Sequence, residues 1–352
     1  MNTWQDLDDR LRARAADGDV SGSVLLTRAG QTIFHGCYGL ADRAAGVPVG
    51  PGTRFGLASV TKMFTAVAVA GEVSAGRLSL DNRVVELLPL EERPSALHPD
   101  LTLAHLLLHT SGIADYAEED ETVPSYLKDY SSLWLARPNY RMLRPLDFLP
   151  LFRDLPPYRP PGQTWQYSNA GYILLGIVLE RVTGQAYTDL VQKQIFDRAG
   201  MSASGFYRLD EPHTDVAVGY LDPPFPGAMR RTNIYSVPVI GGADGGAFST
   251  VTDLDLFLDR VADGSLMGGL TEEMLAPRET LGDGYRHGYG FLHYPDGRFG
   301  HGGGDPGVAC LVHRFPDQDA NLVVLCNVET WAGELRDAVL ETWRGLTVPG
   351  PA

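Results

Sequence analysis

The chain has 352 residues, of which 44% are hydrophobic and 21% charged, and its 44 acidic and 29 basic side chains give a formal net charge of −15. This composition is typical of a folded globular protein with one large domain or two to three ordinary ones. The acidic excess argues against nucleic-acid partners and against adhesion to anionic membranes, because both depend on clustered lysine and arginine.

The N-terminal sequence predicts a helix followed by a β-hairpin. Apolar residues recur at helical spacing among charged ones over about residues 3–17. Residues 23–28 and 31–38 are predicted strands, and they flank the dipeptide Ala29-Gly30, which fits a two-residue turn. No leader with a basic start and an apolar centre is visible, and no apolar run reaches the ~20 residues of a membrane span. We therefore expect a cytoplasmic protein that does not associate with a membrane.

A serine and a lysine lie three residues apart in the run Ser59-Val60-Thr61-Lys62, which opens an apolar helical stretch. Residues i and i+3 share one helix face, about 5–6 Å apart between Cβ atoms, so the two side chains could touch. A lysine that loses its proton in a desolvated pocket can act as the base for a serine nucleophile. Backbone N–H groups at a helix start also favour developing negative charge. Alone, however, the tetrapeptide is more often a helix-capping serine followed by a solvated lysine.

Tyr167 and Asn169 form a second motif, just before the apolar helix predicted over 173–182. Because they flank a single residue, an extended or turn backbone points both side chains the same way. A phenol beside a cationic lysine can have a lowered pKa and shuttle a proton. An asparagine amide can orient a substrate or the lysine. A loop tyrosine followed by a helix-capping asparagine explains the pattern alone equally well.

The region between these motifs is rich in proline and tyrosine. Residues 116–155 could wall a pocket or form a surface insertion that packs on itself, and the sequence favours neither alternative. The aromatic residues concerned are Tyr126, Tyr130, Trp134 and Tyr140. His109 lies nearby at a predicted helix end, where a structural role is more common than a catalytic one.

A glycine-rich segment, residues 299–307, precedes a predicted strand. Consecutive glycines let a backbone approach a ligand and expose N–H groups that could complete an oxyanion hole. Three of these glycines formally match a dinucleotide-binding pattern, but the segment's proline and the following strand remove the context that this pattern needs. We expect no cofactor and, without metal-ligand spacings, no metal site. Cys37, Cys310 and Cys326 fall in strand-like runs, where buried free thiols are expected.

Strand patterns return towards the C-terminus and are followed by a closing helix. These predicted elements are the strands 289–293, 308–313 and 321–326 and the helix 331–343. Strands at both ends with helices between them predict an α/β fold of the α+β type, in which an antiparallel sheet from both termini is flanked by helices. We expect a discontinuous sheet domain over 1–57 and 206–352, a mainly helical domain inserted over 58–205, and an active site between them.

Three motifs occur in a characteristic order along the chain: Ser59-Val60-Thr61-Lys62, Tyr167-Ser168-Asn169 and His301-Gly302-Gly303. Together they resemble the motifs of the serine β-lactamase and penicillin-binding-protein superfamily. The middle and last motifs are similar to those of the branch that contains class C β-lactamases, DD-peptidases, D-amino-acid amidases and carboxylesterases. The resemblance runs from about residue 20 to about residue 330, and the ordered set is more specific than any single motif.

The resemblance implies a role for the residues of the first two motifs. Ser59 attacks a carbonyl and forms an acyl-enzyme. Lys62 and Tyr167 share the proton transfers, and either of them can be the base. Asn169 positions Lys62 and the amide of the substrate.

The resemblance also implies that the glycine-rich motif lies across the pocket. The N–H groups of Ser59 and Gly304 form an oxyanion hole, with Gly303 beside it. His301 stands where β-lactamases usually have a permanently charged lysine, and a histidine titrates near neutrality. Gly302 replaces a hydroxyl residue. Both differences favour uncharged esters or amides over penicillins and other carboxylate-bearing substrates.

We therefore expect a serine hydrolase that forms an acyl-enzyme through Ser59 on a small-molecule ester, amide or peptide. The alternatives are a DD-peptidase or β-lactamase, an acyltransferase, and a non-catalytic penicillin-binding-like protein that retains the pocket. The lack of a visible leader favours an esterase or amidase, because cell-wall peptidases and secreted β-lactamases act outside the cytoplasm.

Overall fold

The computed structural model describes residues 3–18, 20–123, 125–223 and 228–347, and these form a large antiparallel sheet packed between layers of helices. The helices are α1 (Trp4–Ala16), α2 (Thr61–Ser74), α3 (Val84–Leu87), α4 (Leu103–Leu107), α5 (Pro145–Phe152), α6 (Asn169–Thr183), α7 (Tyr187–Val191), α8 (Asp197–Ala199), α9 (Val251–Ala262), α10 (Thr271–Leu275) and α11 (Ala332–Thr347). The strands are β1 (Gly22–Arg28), β2 (Gln31–Tyr38), β3 (Leu40–Asp42), β4 (Val47–Pro48), β5 (Phe55–Gly56), β6 (Phe248–Ser249), β7 (Glu279–Gly282), β8 (Tyr285–His287), β9 (Leu292–His293), β10 (Phe299–Asp305), β11 (Val308–Phe315) and β12 (Ala320–Cys326).

The main sheet has eight strands in the order β2-β1-β12-β11-β10-β9-β8-β7, and its strand pairs are antiparallel. The N-terminal hairpin joins the C-terminal strands through β1 and β12, with Val24 opposite Val324. The two ends of the chain therefore build one sheet, as the sequence predicts, and the predicted fold class is confirmed.

Strand β12 is buried along its whole length because helices cover both faces of the sheet. Side chains alternate between the two faces of a strand, and accordingly Leu322 and Val324 pack with α1 and α11 in a smaller hydrophobic cluster. Val323 and Leu325 point the opposite way into a larger cluster that includes residues of α2, α6 and α9. This explains why the strand has an apolar sequence apart from Asn321.

The larger hydrophobic cluster contains the two helices that begin at the first two sequence motifs. Helix α2 is buried from Thr61 to Ala70, and α6 is buried from Asn169 to Leu179. The first residues of both helices are polar and yet buried, and these polar ends meet at one place.

Most predicted elements of the sheet are present, and the differences fall in strands β7 to β10, of which β7 and β8 were not predicted. Of the strand predicted over 289–293, only Leu292–His293 is a strand, because Gly290 has a left-handed backbone with φ of 83° that interrupts the extended chain. The glycine-rich segment forms strand β10, which the sequence analysis did not predict, and it pairs with β11. The division into domains at residues 57 and 205 stays a prediction.

The three cysteines are free thiols, buried at Cys310 and Cys326 and half-buried at Cys37. In the part of the chain that the structure describes, no helix is long and apolar enough to cross a membrane. The same residues contain no group of three or more histidine, cysteine, aspartate or glutamate side chains arranged to hold a metal ion.

Candidate active site

Ser59 lies in a single 3-10 turn, Ala58–Val60, which leads directly into α2. Ala58 has a φ of 43°, a left-handed backbone that is uncommon for a residue other than glycine and that clusters at functional sites. Two backbone hydrogen bonds hold the turn against a neighbouring segment: Leu57 N–H donates to the Ala247 carbonyl at 2.8 Å, and Gly246 N–H donates to the Ala58 carbonyl at 3.2 Å. These two bonds hold the N-terminal end of the strained turn in place.

The hydroxyl of Ser59 accepts hydrogen bonds from two predicted site residues. Lys62 Nζ is 3.0 Å from Ser59 Oγ, and the Tyr167 hydroxyl is 2.7 Å from it. Tyr167 is 108 residues away in sequence. The fold therefore brings together the three residues that were predicted to be catalytic.

Lys62 is completely buried and has three hydrogen-bond acceptors. Besides Ser59, its ammonium nitrogen donates to Asn169 Oδ1 at 2.7 Å and to the Asp244 carbonyl at 2.6 Å. Burial lowers the pKa of Lys62, whereas the charges of Asp244, Glu119 and other nearby carboxylates act to raise it. The net effect is a pKa below that of a solvated lysine, which makes the neutral amine easier to form.

Burial also determines the protonation of Tyr167. Tyr167 is half-buried, and the loss of hydration around its hydroxyl raises the pKa of Tyr167 well above the usual value, an effect that the charge of Glu119 reinforces. The expectation that a neighbouring lysine would lower this pKa is wrong, because the loss of hydration dominates. Tyr167 is a protonated phenol at neutral pH.

Asn169 is the first residue of α6, and an aspartate that the sequence analysis missed holds it there. The Asp115 carboxylate accepts hydrogen bonds from the backbone N–H groups of Asn169 and Ala170, and burial raises the pKa of Asp115 to about 7. The side-chain nitrogen of Asn169 donates to Glu119 at 3.2 Å, which orients its oxygen towards Lys62. The only local signal for Asp115 is an acidic residue within an otherwise apolar stretch, residues 113–117.

His109 holds the segment that carries Tyr167. Its ring nitrogen Nδ1 accepts from Ser168 N–H at 3.0 Å, and its carbonyl accepts from Gln166 N–H at 2.8 Å. The His109 ring lies beside the Tyr167 ring, with centroids 4.5 Å apart. Burial and the nearby His287 lower the pKa of His109 well below its usual value, so the ring is neutral and Nδ1 can accept. The structural role expected for His109 therefore bears directly on Tyr167.

Strand β10 runs past the turn that contains Ser59 and places the glycines of the third motif beside it. A Cβ atom at Gly303 would lie 2.4 Å from the Leu57 carbonyl oxygen and 3.1 Å from the Ser59 nitrogen, so only glycine allows this approach. A Cβ atom at Gly304 would meet nothing within 4 Å, because Gly304 faces a cavity.

His301 is 7% exposed, and its Nδ1 lies 2.5 Å from the Gly302 carbonyl. Burial lowers the pKa of His301 to about 4. The expectation that this histidine titrates near neutrality is therefore wrong, because the unperturbed value applies to a hydrated ring. His301 is uncharged at pH 7.

The cavity beside Ser59 has a volume of about 1440 Å³. Ser59, Asn169 and Gly304 line it, together with the carboxylates of Glu119 and Asp305. The four aromatic residues between the first two motifs, Tyr126, Tyr130, Trp134 and Tyr140, also line it. Of the two alternatives for this region, the structure supports a pocket wall.

The family model named Beta-lactamase matches residues 7–342. A solved penicillin-binding protein from Bacillus halodurans has 36% sequence identity and a TM-score of 0.86, over 94% of this chain and 99% of that one. Esterase EstB of Burkholderia gladioli is 37% identical over 63% of this chain and 55% of its own length. A D-stereospecific amidohydrolase from Streptomyces sp. has 26% identity and a TM-score of 0.78, over 97% of this chain and 99% of that one.

Proposed function

The chain belongs to the β-lactamase family and is a serine hydrolase, and we propose that it forms an acyl-enzyme through Ser59 on an ester or amide of a small carboxylic acid. The observation that supports this most is the position of Ser59 Oγ, within hydrogen-bond distance of both Lys62 Nζ and the Tyr167 hydroxyl at the edge of a large cavity. A serine hydroxyl needs an adjacent base to become a nucleophile at neutral pH.

Proton transfer begins at Lys62 in this proposal. The lowered pKa of Lys62 favours a neutral amine that takes the Ser59 proton as Oγ attacks the substrate carbonyl carbon. The carbonyl electrons move to its oxygen, and their return expels the alcohol or amine of the substrate. Tyr167, a protonated phenol, donates to the departing group and regains a proton from Lys62. Water then attacks the acyl-enzyme by the same route and releases the carboxylic acid.

The N–H groups of Ser59 and Gly304 are the proposed oxyanion hole. Ser59 lies in the helical turn Ala58–Val60, and Gly304 follows Gly303, whose backbone lies directly against that turn. Preorganised donors of this kind stabilise the charge that develops on the carbonyl oxygen, and the loss of one typically costs about 10²–10³ in turnover.

The charges in the cavity favour an uncharged substrate. His301, in the place of the family lysine, is neutral at pH 7, while Glu119 and Asp305 line the cavity. Burial raises the pKa of Asp305 to about 7, so this group carries only part of a negative charge at neutral pH. Lys128, Arg230 and Arg231 also line the cavity, but Arg230 is paired with Asp222 at 2.6 Å, so a penicillin or a peptide ending in a free carboxylate would meet more acids than bases there. The names of two relatives, an esterase and a D-stereospecific amidohydrolase, agree with ester or amide cleavage. The cytoplasmic location stays a prediction.

A mass-detected substrate panel tests the proposal. It contains neutral alkyl esters, neutral amides, D-amino-acid amides and a cephalosporin, each with wild-type protein, Ser59→Ala and the control Ser74→Ala at the far end of α2. We expect the wild type and Ser74→Ala to hydrolyse a neutral ester or amide at least tenfold faster than the cephalosporin, and Ser59→Ala to be inactive. Turnover by Ser59→Ala, or a preference for the cephalosporin, would contradict the proposal.

A further inference from the structure

Besides Met229, which is 88% exposed and also lines the cavity, three large apolar side chains at the mouth of the cavity are exposed to solvent. Leu135 is 86% exposed, Tyr235 79% and Tyr140 57%, and all three line the cavity that contains Ser59. Single exposed apolar residues are ordinary on protein surfaces. A group of them on one cavity is not, and such patches usually mark binding sites. We call these three residues the apolar rim.

Hydrogen bonds from neighbouring residues hold the apolar rim in place. Trp134, next to Leu135, donates from its indole nitrogen to the Ser236 carbonyl at 2.9 Å. Asn139, next to Tyr140, donates from its side-chain nitrogen to two carbonyls, Ile234 at 2.6 Å and Val237 at 2.7 Å. Each rim residue is therefore next in the chain to a residue that forms one of these hydrogen bonds. The bonds join residues 134–139 to residues 234–237.

The anchors are buried whereas the rim is not. Trp134 is 7% exposed and Asn139 5%, and Val239 N–H adds a backbone bond to the Asn139 carbonyl at 3.2 Å. Losing a buried hydrogen bond of this kind leaves an unpaired polar group and costs about 1–3 kcal/mol. These bonds fix the backbone beside the rim residues, so that the rim side chains stay exposed to solvent. We therefore infer that the rim is formed before a ligand binds.

We propose that the substrate has an extended apolar group, an alkyl chain of about six to ten carbons or an aromatic system of similar size, which lies on the apolar rim while its ester or amide reaches Ser59. This inference rests on the proposed function and names the substrate class of that site. The cavity of about 1440 Å³ is larger than the roughly 300–1,000 Å³ of most small-molecule sites, and a short ester would leave its mouth empty. The rim residues and Ser59 line the same cavity. A substrate whose apolar group lies on the rim can therefore place its ester or amide at Ser59.

Two series of alkyl esters that share ethyl acetate as first member test the inference. The first series lengthens the acid part and runs from ethyl acetate to ethyl decanoate. The second series lengthens the alcohol part and runs from ethyl acetate to decyl acetate. A methylene group moved fully out of water improves binding about fourfold, and on an open rim we expect about half of this, roughly twofold per carbon. One series should therefore rise in kcat/KM by about 60-fold over six added carbons.

The double variant Leu135→Ser, Tyr235→Ser removes the rim from two exposed positions, where the fold is not at risk. Leu90→Ser is the matched control, since Leu90 is 61% exposed and does not line the cavity. We expect the double variant, which leaves Tyr140 in place, to make the rise shallower, with about a tenfold loss on the long ester and a change within twofold on ethyl acetate. Leu90→Ser should behave as the wild type.

A flat response in both series overturns the inference, and so does a rise that the double variant leaves unchanged. These outcomes leave the proposed function intact, because ethyl acetate turnover still depends on Ser59. Turnover that survives Ser59→Ala would instead contradict the proposed function.

Discussion

Replacing His109 changes how Tyr167 is held beside Ser59 without substituting Ser59, Lys62 or Tyr167 themselves. His109 Nδ1 accepts the Ser168 N–H, and the His109 ring lies beside the Tyr167 ring. Two variants separate these contacts. His109→Phe keeps an aromatic ring and removes the acceptor, whereas His109→Asn keeps an acceptor oxygen near the Nδ1 position and removes the ring.

The expected loss of kcat follows from the burial of the Ser168 N–H group. Ser168 is 3% exposed, so His109→Phe leaves a buried N–H group without an acceptor, which costs about 1–3 kcal/mol. If the loosened segment lets Tyr167 leave Ser59, a similar penalty raises the activation barrier, and kcat falls by about 10- to 100-fold. His109 also has a φ of 56°, a conformation that asparagine tolerates better than most residues, so His109→Asn should fold well.

Steady-state kinetics on a neutral ester and thermal unfolding are the assays. For His109→Phe we expect kcat to fall by at least tenfold with KM within about twofold, since the lost interaction acts in the transition state. For His109→Asn we expect a smaller loss of kcat and a melting temperature nearer to the wild type. Wild-type kcat in His109→Phe, or a rise in KM with unchanged kcat, would refute the positioning role of His109.

Three further predictions follow from the same geometry. Lys62→Ala and Tyr167→Phe should each lower kcat/KM by about 10²-fold or more. The double variant should lose little more kcat/KM than the worse single variant, because the two residues act as a unit. Additive losses of kcat/KM would argue against a shared proton path. In a pH–rate profile, kcat/KM should rise with pH as Lys62 loses its proton, and Glu119→Gln should move this acid limb to lower pH, because the Glu119 charge raises the Lys62 pKa; a shift to higher pH would contradict Lys62 as the base. Gly303→Ala places a Cβ 2.4 Å from a backbone oxygen and should lower unfolding free energy by about 1–3 kcal/mol, whereas Gly304→Ala, which meets open space, should melt near the wild-type temperature in differential scanning calorimetry.

Local patterns in the sequence were sufficient for the elements that local chemistry determines. The turn at Ala29-Gly30 and the strand patterns around it predict β1 and β2, and the spacing of Ser59 and Lys62 predicts their contact on one helical turn. The structure contains both the hairpin and the contact. In these cases the interacting residues are neighbours in the chain, so spacing alone fixes their geometry.

Contacts that depend on the tertiary fold could not be predicted in this way. Strand β10 is rich in glycine, which has a low propensity for strands, and it is a strand because β11 pairs with it. Asp115 binds the start of α6 from 54 residues away, and no spacing rule connects the two. The protonation of Tyr167 and His301 depends on burial, which a motif does not specify.

The most direct test of an acyl-enzyme at Ser59 is mass spectrometry of acid-quenched protein during turnover of a neutral ester. We predict a mass increase equal to the acyl group, located on the peptide that contains Ser59 and absent from Ser59→Ala. Turnover without a covalent adduct on wild-type protein, or an adduct on a different residue, would contradict the acyl-enzyme at Ser59.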